Sequence, residues 1–330
     1  MRILQVNHIN QVAYIYGKDL SRRGHFVDVY EPDMIAGLAP LPVKLALMPR
    51  RLLDMRKVTG KLDKNYYDIV HIHWASYGVL GLMSKVPFVV HCHGDDILCP
   101  TFPPILKPIF KRAAVVMGIT PDLVPLIQSI RPDALFLPGP IDTDRYRPVT
   151  EVDNEGGGER PWTILLFGRL VSKKGPEIAT QGIAQFAARH PEVRVQLLDW
   201  GELKEKYKKR YGNRFEFIPP VAQDEVEQMI WSADVVVGQV ALGILSLCEL
   251  QAMSCAKPVI CSFRYDDAYP SSPPICQAAT PDEIDEHLEK LFQHPEAGAA
   301  LGQKSREWVI ENHDYRMLAG RLEELYQTII

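Results

Sequence analysis

The stretch TILLFGRLVSKKGPEIATQGIAQF, residues 163–186, decides how this chain is read. Thr163–Phe167 is a short apolar run suited to a buried strand, and from Gly175 to Arg189 apolar residues recur at helical spacing. Between them GRLVSKKG places Arg169 and Lys174 on the loop that leaves a strand and enters a helix. Free backbone N–H groups, the positive helix end and two side-chain charges converge there, which makes a good anion site. The plainer reading is two solvated loop cations, and the loop taken alone leaves both open.

The same strand–loop–helix unit repeats in both directions. Upstream, strands are predicted over Ile3–Val6, Val27–Tyr30, Ile69–Ile72, Phe88–His91, Ala114–Ile119 and Ala134–Leu137, with helices over Ala13–Arg23, Lys44–Lys61 and Ile105–Arg112. Downstream, strands fall at Arg194–Leu198, Arg214–Phe217, Val235–Val237 and Pro258–Cys261. Helices fall at Leu203–Tyr211, Gln223–Trp231 and Pro281–Phe292, and a mostly helical end runs from Pro295 to Ile330. Such alternation predicts α/β structure with parallel sheets, here two Rossmann-like, doubly wound halves in tandem. The charged, triple-glycine segment EVDNEGGGER at 151–160 reads as a linker. The expected domains are therefore 1–150, 151–315 and a terminal helix at 316–330 that returns to the first. In sheets of this kind ligands sit at the carboxyl ends of the strands, so a cleft between the halves is the expected site.

Bulk properties agree with two soluble domains. The chain has 330 residues, 46% hydrophobic and 24% charged, and no stretch reaches the roughly 18 apolar residues of a spanning helix. Its N-terminus lacks the apolar length and cleavage site of a signal peptide. The cysteines (92, 99, 248, 255, 261 and 276) have no paired spacing, which suits reduced thiols in a cytoplasmic setting. Residues 1–150 carry 18 Lys and Arg against 13 acids, and the rest 19 against 28. That imbalance is too mild for nucleic-acid binding, and no stacking-aromatic motif accompanies it.

Several segments become specific when taken together. In the second half, GRLVSKKG (168–175), LLDWGEL (197–203), FIPPVAQDEVEQMIWSADVVV (217–237) and AMSCAKPVI (252–260) follow one another. In the first half come RRGHFVDVYEPD (22–33), YDIVHIHW (67–74), PFVVHCHGDDI (87–97) and LPGPIDTDRYRP (137–148). The set resembles the GT-B glycosyltransferases of the retaining "group 1" family, family 4, over nearly the whole chain.

The resemblance implies transfer of a sugar from a nucleoside-diphosphate donor with retention at the anomeric carbon. Substitution occurs on one face, and the leaving diphosphate is stabilised electrostatically. No cofactor and no metal are implied. The donor is a UDP-sugar first, with GDP- or ADP-sugars as alternatives, and the acceptor is a glycan, a lipid-linked sugar or a small molecule. Carried over residue by residue, Arg169 and Lys174 become the diphosphate clamp beside Gly168. His93 becomes the histidine near the donor sugar, brought to it by domain closure. Val221, Gly243, Leu245, Ser246, Leu247 and Gln251 take nucleotide-side positions. Asp96 and Asp142 match motif acids that either face the site or cap local turns.

Three places depart from the family pattern. Its Gly-Gly loop is replaced by NHINQVAY (7–14), where Asn10 and Gln11 can donate by side chain but a close backbone approach is harder. Its PNG turn has become PGP (138–140). In GILSLCELQAMSCAKPVI (243–260) the two glutamates of its E-x7-E motif have become Gly243 and Gln251. Glu249 lies about 200° around the helix from Gln251, so it is expected to be a surface or interdomain partner instead of a ligand contact. Gly243 is expected to leave the helix N-terminus open, with N–H groups of Leu245 to Leu247 free for phosphate.

Other classes stay in view. A non-catalytic sugar-nucleotide or glycan binder and a sugar-nucleotide 2-epimerase share the architecture. His71, His73, His91 and His93 alternate on two strands in the HxH spacing of metal hydrolases. The basic, leucine-rich stretch 43–64 and PILKPIFKRAA (104–114) suit either inward-packed helices or peripheral contact with an anionic membrane.

Overall fold

The computed structural model describes residues 1–32, 43, 46–63, 66–98, 103–150 and 160–330. Lys44, Leu45 and Lys64 of the basic stretch, Cys99, and nearly all of the predicted linker (151–159) lie outside these. The chain forms two units, one of Met1–Pro140 with Tyr315–Ile330 and one of Ile141–Asp314.

The first unit is built on strands β1 (Arg2–Val6), β2 (Phe26–Tyr30), β3 (Ile69–His73), β4 (Phe88–Cys92), β5 (Val115–Gly118) and β6 (Leu135–Phe136). Their order is β2-β1-β3-β4-β5-β6, and every pairing is parallel. Its helices are α1 (Val12–Arg22), α2 (Met48–Asp63), α3 (Val79–Leu82), α4 (Pro103–Arg112) and α5 (Leu123–Gln128). β3 (IVHIH) and β4 (FVVHC) are buried along their whole length, as strands are when helices cover both faces of a parallel sheet. Val70, Ile72, Phe88 and Val90 face one core, with Leu106 and Phe110 of α4. Ile3, Ile69 and Val89 face the other, with Tyr16 of α1.

The second unit carries β7 (Thr163–Leu166), α6 (Pro176–Arg189), β8 (Arg194–Leu198), α7 (Lys204–Tyr211), β9 (Glu216–Ile218), α8 (Val226–Trp231), β10 (Val235–Val237), α9 (Leu247–Ser254), β11 (Val259–Cys261), β12 (Cys276–Gln277), α10 (Pro281–Gln293) and α11 (Pro295–His313). Its strand order, β12-β11-β10-β7-β8-β9, is the dinucleotide-fold order, which reverses direction between β7 and β10. Local chemistry sets the ends. At α10 the sequence TPDE gives a capping box, with Glu283 N donating to Thr280 Oγ1 at 3.3 Å, Thr280 N donating to Glu283 Oε2 at 3.0 Å, and Pro281 opening the helix.

The helical end breaks at Asp314, whose backbone is extended and whose carboxylate accepts from Thr143 Oγ1. There the chain returns to the first unit as α12 (Tyr315–Ile329). Leu318, Leu322 and Tyr326 of α12 are buried against α1, and Arg22 Nη1 donates to the Tyr315 hydroxyl at 2.7 Å. Three short elements, α3, α5 and β12, are absent from the sequence reading. The helix predicted over Gln223–Trp231 opens with a 3-10 turn before α8.

Candidate functional site

In an open parallel sheet the loops leaving the two strands beside the reversal point diverge, and a crevice opens between them. The second unit has such a crevice between β7 and β10. Gly168, Arg169 and Lys174 from the first loop and Gly238 and Gln239 from the second line a small recess open to solvent. The loop from β7 is short because Gly175 takes φ +72, a conformation that costs other residues energy, and caps α6. A Cβ on Gly175 would lie 2.9 Å from Val240, so the β7 loop approaches the β10 loop closely. The backbone there is pinned by Val240 N donating to the Lys174 carbonyl at 3.1 Å.

Arg169 and Lys174 both face this region. The Lys174 side chain makes no hydrogen bond or ion pair within the protein among the described residues, and the Arg169 guanidinium sits 5.5 Å over the ring of Trp200. Cys248, in the first turn of α9, lies within electrostatic reach of both Lys174 and Arg169. The positive end of α9 and the two cations therefore act on the same space. Val221, Gly243, Leu245, Ser246, Leu247 and Gln251 do not line the recess. Val221 is part-buried against the core of this unit, and Gln251 makes no side-chain hydrogen bond among the described residues.

The loop 238–246 corrects two expectations. Glu249 is fully buried, not a surface or interdomain partner. Its Oε1 accepts from Gln239 N at 2.8 Å and its Oε2 from Ser246 N at 2.7 Å, which closes a capping box on α9. The N–H of Ser246 is therefore already used, and the free donors expected over Leu245–Leu247 are reduced by one. Gly243 takes φ +71, and a Cβ there would lie 2.2 Å from Arg264 Nε. Arg264 Nη2 donates to the carbonyls of Ala241 (3.2 Å) and Leu242 (3.1 Å), so a guanidinium covers the position where the family pattern has a glutamate.

Gln239 holds the rest of this loop and was missed in the sequence. Its buried amide donates to the carbonyls of Ser262 (2.8 Å) and Ile244, and its oxygen accepts from Leu242 N at 2.7 Å. A lone amide just after the strand VVV was the available signal.

In the first unit the order reverses between β1 and β3, and Asn10 and Gln11 lie on the loop leaving β1. Both take left-handed backbone angles, φ +51 and +63, so the loop keeps a glycine-like path without glycine. Asp96 is buried, accepting from Ala75 N at 2.7 Å and His93 N at 2.9 Å. It thereby ties the loop after β3 to the loop after β4, and burial holds its carboxyl up at about 6. Asp142 accepts from Arg145 N at 3.3 Å and caps a turn of the second unit.

His93 ends a histidine array on one face of β3 and β4. His73 Nδ1 is 3.2 Å from His93 Nε2, and His73 Nε2 is 2.7 Å from Gln5 Oε1. His71 Nδ1 is 2.6 Å from the Tyr326 hydroxyl, and His91 Nε2 donates to the Leu137 carbonyl at 3.0 Å. Burial, reinforced by the neighbouring rings, holds His71, His73 and His93 far below the usual imidazole range; burial holds His91 down at about 4. All four are thus neutral at pH 7. His71, His73 and His91 each offer a ring nitrogen within 4.8 Å of the others. The rings of His71 and His73, however, stack at 4.1 Å and 23°. Their in-plane lone pairs then lie side by side instead of converging, which does not fit tetrahedral ligation of an ion.

Two parallel six-stranded sheets with flanking helices, and an anion-suited crevice at the reversal point of the second, define a GT-B α/β protein. The model for "Glycosyltransferase Family 4" matches residues 9–145, and that for "Glycosyl transferases group 1" matches residues 150–268. The chain belongs to this family of group 1 glycosyltransferases. It is similar to a GDP-mannose-dependent alpha-(1-6)-phosphatidylinositol monomannoside mannosyltransferase of Mycolicibacterium smegmatis, with 23% identity over 57% of this chain and 55% of that protein. The chain thus spans about half the length of that curated relative. Among solved structures it resembles a sucrose-phosphate synthase from Thermosynechococcus elongatus (TM-score 0.77, 15% identity, 100% of this chain and 99% of that one). It also resembles Anabaena HepE in complex with UDP and glucose (TM-score 0.73, 16% identity, 99% of this chain and 100% of that one). No helix among the described residues is long and apolar enough to cross a membrane.

Proposed function

We propose that the protein transfers a sugar, with retention of configuration, from a nucleoside-diphosphate sugar to a glycan, lipid-linked or small-molecule acceptor. The observation that carries this reading is the recess at the reversal point of the second unit, lined by Arg169 and Lys174, with Cys248 in the first turn of α9 within electrostatic reach of both. As the sugar–phosphate bond breaks, negative charge grows on the leaving diphosphate. Fixed cations and helix N–H groups stabilise that charge without reorganising, which lowers the barrier. Arg169 can hold two phosphate oxygens at once, while Lys174 acts as a point charge. Gln251 is assigned to a ribose hydroxyl, since an amide both donates and accepts, and His93 to the donor sugar. A UDP-sugar is the first donor to try; the relative from Mycolicibacterium makes GDP-mannose the second.

Incubating the protein with radiolabelled UDP-, GDP- and ADP-sugars and a panel of acceptors tests the reading, with NMR of the product reporting its anomeric configuration. A retained anomer supports it, and an inverted product contradicts it. Gly243 and the Arg264 cover favour one further reading, a relative that binds the donor without transferring it; binding with no turnover on any acceptor would select that one.

Peripheral membrane contact belongs to the same proposal. Leu53, Met83 and Ile105 of the first unit are exposed, as are Arg50, Lys107 and Lys111. Sedimentation with anionic liposomes at low salt should capture the protein, and neutral liposomes should not.

A further inference from the structure

Gln5 sits in the middle of an otherwise apolar strand, paired in register with His71, on the face that carries the histidine array. Its carboxamide oxygen lies 2.7 Å from His73 Nε2. A carbonyl oxygen only accepts, so the His73 proton is on Nε2. His73 is fully buried and neutral, and a neutral imidazole has a single proton, so its Nδ1 is a lone pair. His93 Nε2, 3.2 Å from that lone pair, must therefore be the donor. This leaves the proton of neutral His93 on Nε2 and a lone pair on Nδ1, which makes no hydrogen bond among the described residues.

We infer that Gln5 and His73 are positioning residues that fix the tautomer of His93, so that its Nδ1 acts as a hydrogen-bond acceptor for a ligand hydroxyl and not as a donor to a phosphate oxygen. In the reading proposed above, on which this assignment of the ligand rests, that hydroxyl belongs to the donor sugar. A phosphate oxygen carries no proton to share and would face the lone pair unfavourably.

The direction of the chain depends on which way the Gln5 amide points, and its oxygen is the atom that faces His73 Nε2. The Leu137 carbonyl independently fixes His91 as the Nε2–H tautomer, with a lone pair on Nδ1. That Nδ1 and His71 Nε2 are the two ring nitrogens of the array left buried without a partner. The Gln5 amide nitrogen is likewise buried, with no hydrogen-bond partner among the described residues.

The test uses the whole chain labelled with 15N-histidine at pH 7. NMR should find the His93 proton on Nε2, with a 15N–15N coupling through the hydrogen bond to His73 Nδ1. A proton on His93 Nδ1, or on His73 Nδ1, overturns the inference. This result needs neither turnover nor nucleotide, so it stands or falls apart from the proposed function. A second arm compares Gln5→Met with wild type. We expect KM for the sugar nucleotide to rise about ten-fold, the worth of one hydrogen bond, while the affinity for the nucleoside diphosphate alone is unchanged. Equal losses in both, or no change in either, contradict the assignment. If Gln5→Met does not fold, the wild-type spectrum decides alone.

Discussion

At position 243 a side chain has to share space with the Arg264 guanidinium on a backbone that disfavours anything but glycine. Restoring the family's acid there, Gly243→Glu, should therefore lower the denaturant midpoint and should not simply recover a sugar contact. Glu249 is conspicuous in the sequence for the wrong reason. Its carboxylate is spent on two backbone N–H groups and the Ser246 hydroxyl. Glu249→Ala should cost about 3 kcal/mol in urea unfolding, because it leaves buried donors unpaired; a loss below about 1 kcal/mol would argue against the cap. Arg169 and Lys174 were legible because a strand, a glycine and a helix start bracket them. Gln239, Arg264 and the partners of Glu249 were not, because each acts on residues whose proximity only the folded loop creates.

Among the elements, the loop leaving β1 shows what a substitution can preserve. Asn10 and Gln11 replace glycines yet keep the left-handed path, which costs about 1 kcal/mol per residue relative to an unstrained position. Gln11→Gly should raise the unfolding midpoint by the equivalent of about 0.5 kcal/mol, since relief of strain outweighs the added chain entropy, whereas Gln11→Val should lower it. No change in either variant would mean that the loop is not strained. Strand and helix positions followed from periodicity nearly everywhere, because each strand of these sheets is a short apolar run between turn residues. The elements missed, α3, α5 and β12, are four, six and two residues long and too short for a period to appear. The array on β3 and β4 was visible as HIH and HCH, but its chemistry was not. Whether such a pair binds a metal or hydrogen-bonds depends on ring orientation, and the stacking of His71 on His73 is set by Tyr16, Tyr326 and Gln5 from distant segments.

For the molecule as a whole, the buried histidines predict acid sensitivity. An imidazole whose native pKa lies below its unfolded value of 6.5 takes up its proton first in the unfolded chain. Stability from His71, His73, His91 and His93 is therefore complete above about pH 6.5 and is lost as the pH falls towards about 4, where native His91 titrates. The slope is up to about 1.4 kcal/mol per pH unit for each ring. Asp96 works in the opposite sense: with its carboxyl held up at about 6, its contribution is largest below pH 3.8 and is lost as the pH rises through about 6. Four rings outweigh one carboxyl, so Tm should fall steadily between pH 6.5 and 4.5; a flat profile would show that the rings are not buried neutral.

The central claim is that the second unit holds a nucleoside diphosphate between Arg169, Lys174 and α9. Thermal melts with UDP, GDP and ADP test it most directly, because a ligand that binds only the folded chain raises Tm by mass action. At least one of the three should raise Tm in the wild type, and Arg169→Ala and Lys174→Ala should each lose that rise while keeping the unliganded Tm. A rise that survives in both variants would put the diphosphate elsewhere and contradict the account.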